Sequence, residues 1–145
     1  MKIPIPPILF VFLIILSFLL KIFFPIYTIP TIYPFSIIFL ITGIFFILDA
    51  IYLIYKNKTT IDPSETPSTL IEKGVFSISR NPIYLGMLFI LFSTDIYLSS
   101  LSSFINLFIF FYIINNFVIK IEEKNIEKKF KKIYIDYKNN VKKWI

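Results

Sequence analysis

Arg80-Asn81-Pro82-Ile83-Tyr84-Leu85-Gly86 is the stretch on which the reading of this chain turns, because it closes the longest polar connector and opens the most hydrophobic half. Asn81 before Pro82 predicts a helix start. An Asn side chain accepts from orphan backbone N–H groups, and proline is favoured at the first helical position. From Pro82 the chain is apolar to about Ser99 and again from Leu101 to Ile119, with Asp95 and the Ser99-Ser100-Leu101-Ser102-Ser103 cluster marking the junction. So short a turn predicts two antiparallel neighbours, a membrane hairpin.

Composition says what surrounds that hairpin. Of 145 residues 57% are hydrophobic, 18 being Phe and 9 Tyr, and the mean hydropathy is +0.78. Apolar residues this abundant and continuous exceed what a soluble core of this size hides, so lipid must cover many of them. Ile5 to Phe24 and Phe35 to Tyr55 each run long enough to cross roughly 30 Å of hydrocarbon at 1.5 Å per residue. A cleaved signal peptide is the rival reading of the first run, but the run is long and no small-residue cleavage pattern follows it. Gly43 in the second run predicts a close helix contact. Asp49, in the same run, is either near enough to its end to meet water or faces a polar cavity. Pro25, Pro30 and Pro34 punctuate an uncharged connector suited to the outer face, whereas Lys56 to Ser79 is a mixed-charge loop with a turn at Gly74.

The tail from Lys120 to Ile145 holds nine Lys against Glu122, Glu123, Glu127 and Asp136, a net charge of nine minus four, or +5. Ile121, Ile126, Phe130, Ile133, Tyr134, Tyr137, Val141 and Trp144 recur at helical spacing, which predicts an amphipathic helix lying on anionic lipid headgroups. The expected fold is therefore all-α and integral to the membrane, with about four transmembrane helices, the last two a tight hairpin, followed by a C-terminal amphipathic interfacial helix. It reads as a single membrane domain over 1–145: a helix pair at 1–57, a cytoplasmic loop at 58–81, the hairpin at 82–119 and a cytoplasmic tail at 120–145. Basic residues in Lys2, the central loop and the tail place both termini in the cytoplasm.

The chain has no Cys and no His, which removes disulfides, thiolate chemistry and the commonest general base and metal ligand. No metal site is expected. The net charge of +6 is explained by membrane orientation rather than by nucleic acid. Polar residues stand out at Asn115-Asn116, where a lipid-facing helix would not want them, and in the pair Glu122-Glu123.

These residues carry a resemblance. Arg80-Asn81-Pro82-Ile83-Tyr84, the hairpin Pro82 to Ile119 and then Glu122-Glu123 resemble the isoprenylcysteine carboxyl methyltransferase and phospholipid methyltransferase group of integral membrane enzymes, which carry Arg-His/Asn-Pro-x-Tyr, a hairpin and a Glu-Glu pair. Thr59-Thr60-Ile61-Asp62-Pro63, Gly74-Val75-Phe76 and the tail from Phe130 through Trp144-Ile145 look like flanks of the bacterial members, as does Asn81 in place of His. Lys131-Lys132 stands where the family's Phe-Gly-x-x-Tyr stretch has Gly.

The resemblance implies S-adenosylmethionine as cofactor and a lipid or lipidated acceptor entering from the bilayer. On that basis Arg80 holds the cofactor carboxylate, Glu122 with Glu123 binds its ammonium or ribose, and Asn81 and Tyr84 orient it. Asn115, Asn116 and Ser79 are further candidates for the cofactor site. The implied catalytic set is Arg80, Asn81, Tyr84 and Glu122, and the implied location a bacterial inner or plasma membrane. A carboxylate acceptor of the isoprenylcysteine type needs no base and is expected first. N-methylation of a phospholipid amine, an NADPH-dependent lipid or sterol reductase, and a non-enzymatic membrane protein that keeps the fold remain alternatives.

Overall fold

A computed structural model describes residues 6–25, 33–60 and 65–145. The expected connector at 26–32 and the Ile61-Asp62-Pro63 flank lie outside the described residues. The architecture is helical: α1 (Pro6–Phe23), α2 (Tyr33–Lys56), a 3-10 turn (Gly74–Ser77), α3 (Pro82–Leu98), a second 3-10 turn (Leu101–Phe104), α4 (Ile105–Ile113), a π-helical segment (Ile114–Ile119), α5 (Lys120–Phe130) and α6 (Lys132–Asn140).

Among the described residues three stretches are long and apolar enough to cross a membrane: Pro6–Phe23, Tyr33–Lys56 and Leu101–Phe130. The third is continuous, since α4, the π segment and α5 follow one another without a break. Four spans were expected; α3, with 17 residues, is a shorter apolar helix, about 25 Å at 1.5 Å per residue. Its character differs from the others. Pro82, Tyr84, Leu85, Gly86, Met87, Leu91, Ser93, Asp95 and Leu98 are all buried, so residues on every side of the helix meet protein. α1 and α2 instead leave large residues such as Ile8, Phe12, Ile41, Phe45 and Leu48 exposed, as lipid-facing helices do. Nor is the hairpin with α4 the main packing of α3, which lies most extensively along α2.

Glycine sets that α2–α3 contact. A Cβ on Gly43 would sit 2.7 Å from the Gly86 carbonyl oxygen, and one on Gly86 would sit 2.7 Å from that of Gly43. Two backbones meet there with no side chain between them, as small residues permit in membrane packing. Ser36 and Ser93 bond near the other end of the same pair, with Ser93 Oγ donating to Ser36 O at 2.6 Å. Beside them α1 contributes Ser17, whose hydroxyl donates to Asp95 Oδ1 and accepts from Asn106 Nδ2, both at 2.8 Å. Asn106 drew no attention in the sequence, yet it is fully buried and ties α4 to α1.

At the opposite end Asp49 holds the central loop. Its Oδ2 accepts from the Val75 N–H at 3.1 Å, directly under Gly74, whose φ of +59° needs a residue without Cβ. Its role here is to fasten the loop to α2.

The tail departs most from expectation. It is not one interfacial helix: Lys131, at φ 49° and ψ −120°, breaks it into α5 and α6. That geometry is costly for any residue with a Cβ, and it falls where the resembling family carries glycine. The break turns Tyr134 and Tyr137 into the bundle, where both are buried. Beyond Asn140 the chain leaves the helix, with Val141 extended at φ −122° and ψ 132°, and folds back onto the end of α3.

Candidate functional site

The fold-back assembles a polar site around the Arg-Asn-Pro-x-Tyr stretch. Pro82 opens α3 as expected, but Asn81 makes no side-chain cap. Its Nδ2 instead donates to the Lys143 carbonyl at 3.0 Å, and Ser79 Oγ donates to the same oxygen at 3.2 Å. The Arg80 N–H donates to Lys142 O at 3.0 Å. Residues 141–145 thus form a strap, held through backbone carbonyls by Ser79 and by the first two residues of the motif, Arg80 and Asn81.

The Arg80 side chain closes it. Nη1 donates to the carbonyls of Lys138 and Val141 at 3.0 and 2.8 Å, while Nε and Nη2 both reach Glu123 Oε1, at 3.1 and 2.7 Å. The pair is largely dry, with side chains 7% and 12% exposed. Lys143 Nζ approaches the other Glu123 oxygen at 3.7 Å. A guanidinium has five N–H donors, and these contacts use four. Among the described residues one Nη2 hydrogen has no hydrogen-bond partner, and four of the five donors of Arg80 clasp the strap and Glu123.

Glu122, one residue earlier, faces elsewhere. Adjacent residues on a helix point about 100° apart, and Glu122 Oε1 accepts from the Tyr84 hydroxyl at 2.6 Å. Tyr84 sits in the first turn of α3, so this bond joins the motif to the start of α5 independently of Arg80. Among the described residues Glu122 has no cationic partner within ion-pair distance, in contrast to Glu123.

Aromatic residues complete the surroundings. Tyr137 donates to Phe76 O at 2.6 Å, pinning α6 to the central loop, and burial raises its phenol well above the usual tyrosine range, so it stays a donor. Burial, followed by the Glu123 carboxylate, raises Tyr134 in the same way. Trp144 on the strap packs over Phe111, with ring centres 5.0 Å apart, and its Nε1 reaches Asn115 Oδ1 at 3.4 Å.

Of the residues singled out by sequence, Arg80, Asn81, Tyr84, Glu122 and Glu123 come together, and Asn115 joins them through Trp144. Asn116 does not: it is exposed and its amide donates to Tyr112 O, one turn back on its own helix. Lys143, Tyr137 and Trp144 belong to the assembly and were not among the expected site residues. The single Trp of the chain, in a tail otherwise rich in lysine, was the available signal.

The arrangement suits a small zwitterionic cofactor. Glu122 Oε2 and the fifth Arg80 N–H could serve as an acceptor and a donor, and Tyr84 and Ile119 lie in one apolar cluster with Trp144 packed against it. Residues 31–133 match the family model described as phospholipid methyltransferase, a stretch that includes the motif, α3, α4 and both glutamates. No curated protein and no solved structure matches the chain. The family match and the three apolar helices make this an integral membrane protein, and since the match covers well over half of its length, the chain belongs to the phospholipid methyltransferase family.

Proposed function

We propose that this protein transfers a methyl group from S-adenosylmethionine to a lipid-like acceptor that reaches the Tyr84–Glu122 end of the bundle from the bilayer. The observation that carries the reading is the convergence of Arg80, Asn81, Tyr84 and both glutamates at one end of the bundle, from segments about forty residues apart in sequence. Methyltransferases of this family generally use S-adenosylmethionine, which supplies an electrophilic methyl on a sulfonium. In this chain Glu122 Oε2 would take the cofactor ammonium or a ribose hydroxyl, and the spare Arg80 N–H its carboxylate. Tyr84 holds Glu122 in place. Alignment of the acceptor with the methyl–sulfur axis contributes much of the rate in such a displacement. The charge asymmetry of the sequence favours a cytoplasmic motif end, where a soluble cofactor would have access.

An isoprenylcysteine-type carboxylate acceptor needs no proton removed and fits the site without a base. A phospholipid amine is the second class: it must lose a proton, and Glu122, a part-buried carboxylate without a cationic partner among the described residues, would serve it only where the cofactor ammonium is held elsewhere.

Two measurements test the proposal. Calorimetric titration of the purified protein with S-adenosylmethionine should show binding that weakens roughly tenfold to a hundredfold in Glu122→Gln, the loss of one charge-assisted hydrogen bond. Unchanged affinity would sink the assignment of Glu122. Membranes incubated with methyl-labelled S-adenosylmethionine should yield labelled lipid; base-labile label identifies an ester and base-stable label an amine. Binding of NADPH in preference to S-adenosylmethionine would replace methyl transfer with a reductase.

A further inference from the structure

Beside the Arg80–Glu123 clasp lies an open depression of about 470 Å³ lined by Lys120, Glu123, Lys124, Glu127, Lys128 and Lys138. Its acids are already committed. Glu123 is neutralised by Arg80 and approached by Lys143, and Glu127 Oε2 pairs with Lys138 Nζ at 3.3 Å. Lys120, Lys124 and Lys128 remain, exposed and four residues apart on one face of α5, with no carboxylate among the described residues within ion-pair distance. Three like charges on successive turns repel one another, and an anion among them would relieve that repulsion.

Its depth points to which anion. Lys120 follows directly on the apolar run that ends at Ile119, within the continuous stretch Leu101–Phe130. Lys124 and Lys128 lie about 6 and 12 Å further along the helix. Headgroup phosphates occupy this zone outside the hydrocarbon. On the two helices that line the depression, Ile121, Ile133 and Ile135 are 43%, 60% and 45% exposed, apolar side chains of the kind a lipid interface accepts.

We infer that the Lys120–Lys124–Lys128 face of α5 is a binding site for the phosphodiester of an anionic phospholipid headgroup. The lysines supply the charge and the hollow takes the headgroup, while the acyl chains run back beside the apolar part of the same helix. The site is distinct from the Tyr84–Glu122 end and does not depend on methyl transfer. Because Glu123 lines the hollow on one side and anchors Arg80 on the other, a bound headgroup would sit one side chain away from the clasp.

The test is lipid titration of the purified full-length protein in detergent, followed by native mass spectrometry, with phosphatidylglycerol, phosphatidylcholine and inorganic phosphate as probes. Phosphatidylglycerol should bind at least tenfold tighter than phosphatidylcholine. At about 1 kcal/mol per basic residue near the headgroups, K120Q/K124Q/K128Q should lower phosphatidylglycerol affinity by roughly a hundredfold. The triple Lys→Arg variant should keep it, and K56Q/K58Q/K73Q, with the same change in net charge at other positions, should keep it too. Circular dichroism on each variant excludes unfolding as the cause. Absence of a phosphatidylglycerol preference in the wild type, equal losses in the two Gln triples, or displacement of the lipid by inorganic phosphate alone would each overturn the inference.

Discussion

Replacing Arg80 by Ala should release the C-terminal strap. The side chain makes four hydrogen bonds, two to Glu123 and one each to the carbonyls of Lys138 and Val141, in surroundings that leave it 7% exposed. Breaking a buried ion pair by removing one partner costs ~3–5 kcal/mol, because the other charge is stranded. Here Glu123 keeps Lys143 at 3.7 Å, and that lysine is one-third exposed, so water can reach the vacated space. The low end, about 3 kcal/mol, is the expected cost. The strap is the element most dependent on the clasp, so local opening should absorb most of it, and a cost of that size raises the open population about a hundredfold.

Trypsin reads this directly, since Lys142 and Lys143 lie within the strap and their carbonyls are engaged by Arg80, Asn81 and Ser79. In detergent the wild type should be cut slowly after these lysines, and Arg80→Ala about a hundred times faster while opening and closing outpace cleavage. Arg80→Ala/Glu123→Ala should cost less than the two single changes added together, because no charge is then left unpaired. Cleavage of Arg80→Ala at the wild-type rate, or strict additivity in the double variant, would refute the clasp.

Three further substitutions probe other joints. Gly86→Ala puts a methyl 2.7 Å from the Gly43 carbonyl oxygen, so α2 and α3 must part; the thermal midpoint in detergent should fall, by about 1–3 kcal/mol in stability. Lys131→Gly relieves the φ 49°, ψ −120° strain and should raise the midpoint by about 1 kcal/mol in stability, after the added chain entropy of glycine is subtracted; a lower midpoint would mean that the lysine tolerates this backbone. Tyr84→Phe removes the 2.6 Å bond to Glu122 and should cost about 1–3 kcal/mol in stability while weakening the S-adenosylmethionine titration.

The parts of this fold legible in sequence are those set by continuous patterns. Uninterrupted apolar runs gave α1 and α2 to within two residues at the ends described, and Pro82 located the start of α3. Gly43 and Gly74 were legible because a missing Cβ has few uses, and both uses appear. The tail was not legible, for two physical reasons. Lys131 adopts a backbone conformation that glycine would have announced and lysine does not. The strap, once turned, is held mainly by its carbonyls, and a backbone oxygen has no sequence signature. An amphipathic pattern in residues 120–145 then fits a membrane surface and a folded-back cap equally well, since Tyr134 and Tyr137 are spaced for either. The site shows the same division. Arg80, Tyr84 and the two glutamates were legible as a spaced set, whereas the pairing of Arg80 with Glu123 was not. Asn115 and Asn116 looked equivalent in sequence, but the turn of the helix gives only the first a partner on the strap.

The two glutamates work as separate joints only because α5 arrives in the correct rotation, and the π-helical segment Ile114–Ile119 lies immediately before it. In an α-helix each four-residue step overshoots a full turn by about 40°, so a face that buries Phe110, Ile114 and Val118 would have drifted well off the bundle by Glu122. A π turn, closed by i→i+5 bonds, takes up one additional residue and cancels much of that drift. Phe110, Ile114, Val118 and Ile119 are indeed all fully buried, and Glu122 and Glu123 still reach Tyr84 and Arg80. If the segment holds one inserted residue, deleting Phe117, which is 47% exposed, should return it to α-helix without turning α5. Trypsin should then find the strap as protected as in the wild type. Inserting a second residue after Phe117 should instead rotate α5 by about 100° and expose Lys142 to cleavage. Loss of protection in the deletion, or its persistence in the insertion, would show that something other than the π turn sets the register of Glu122 and Glu123.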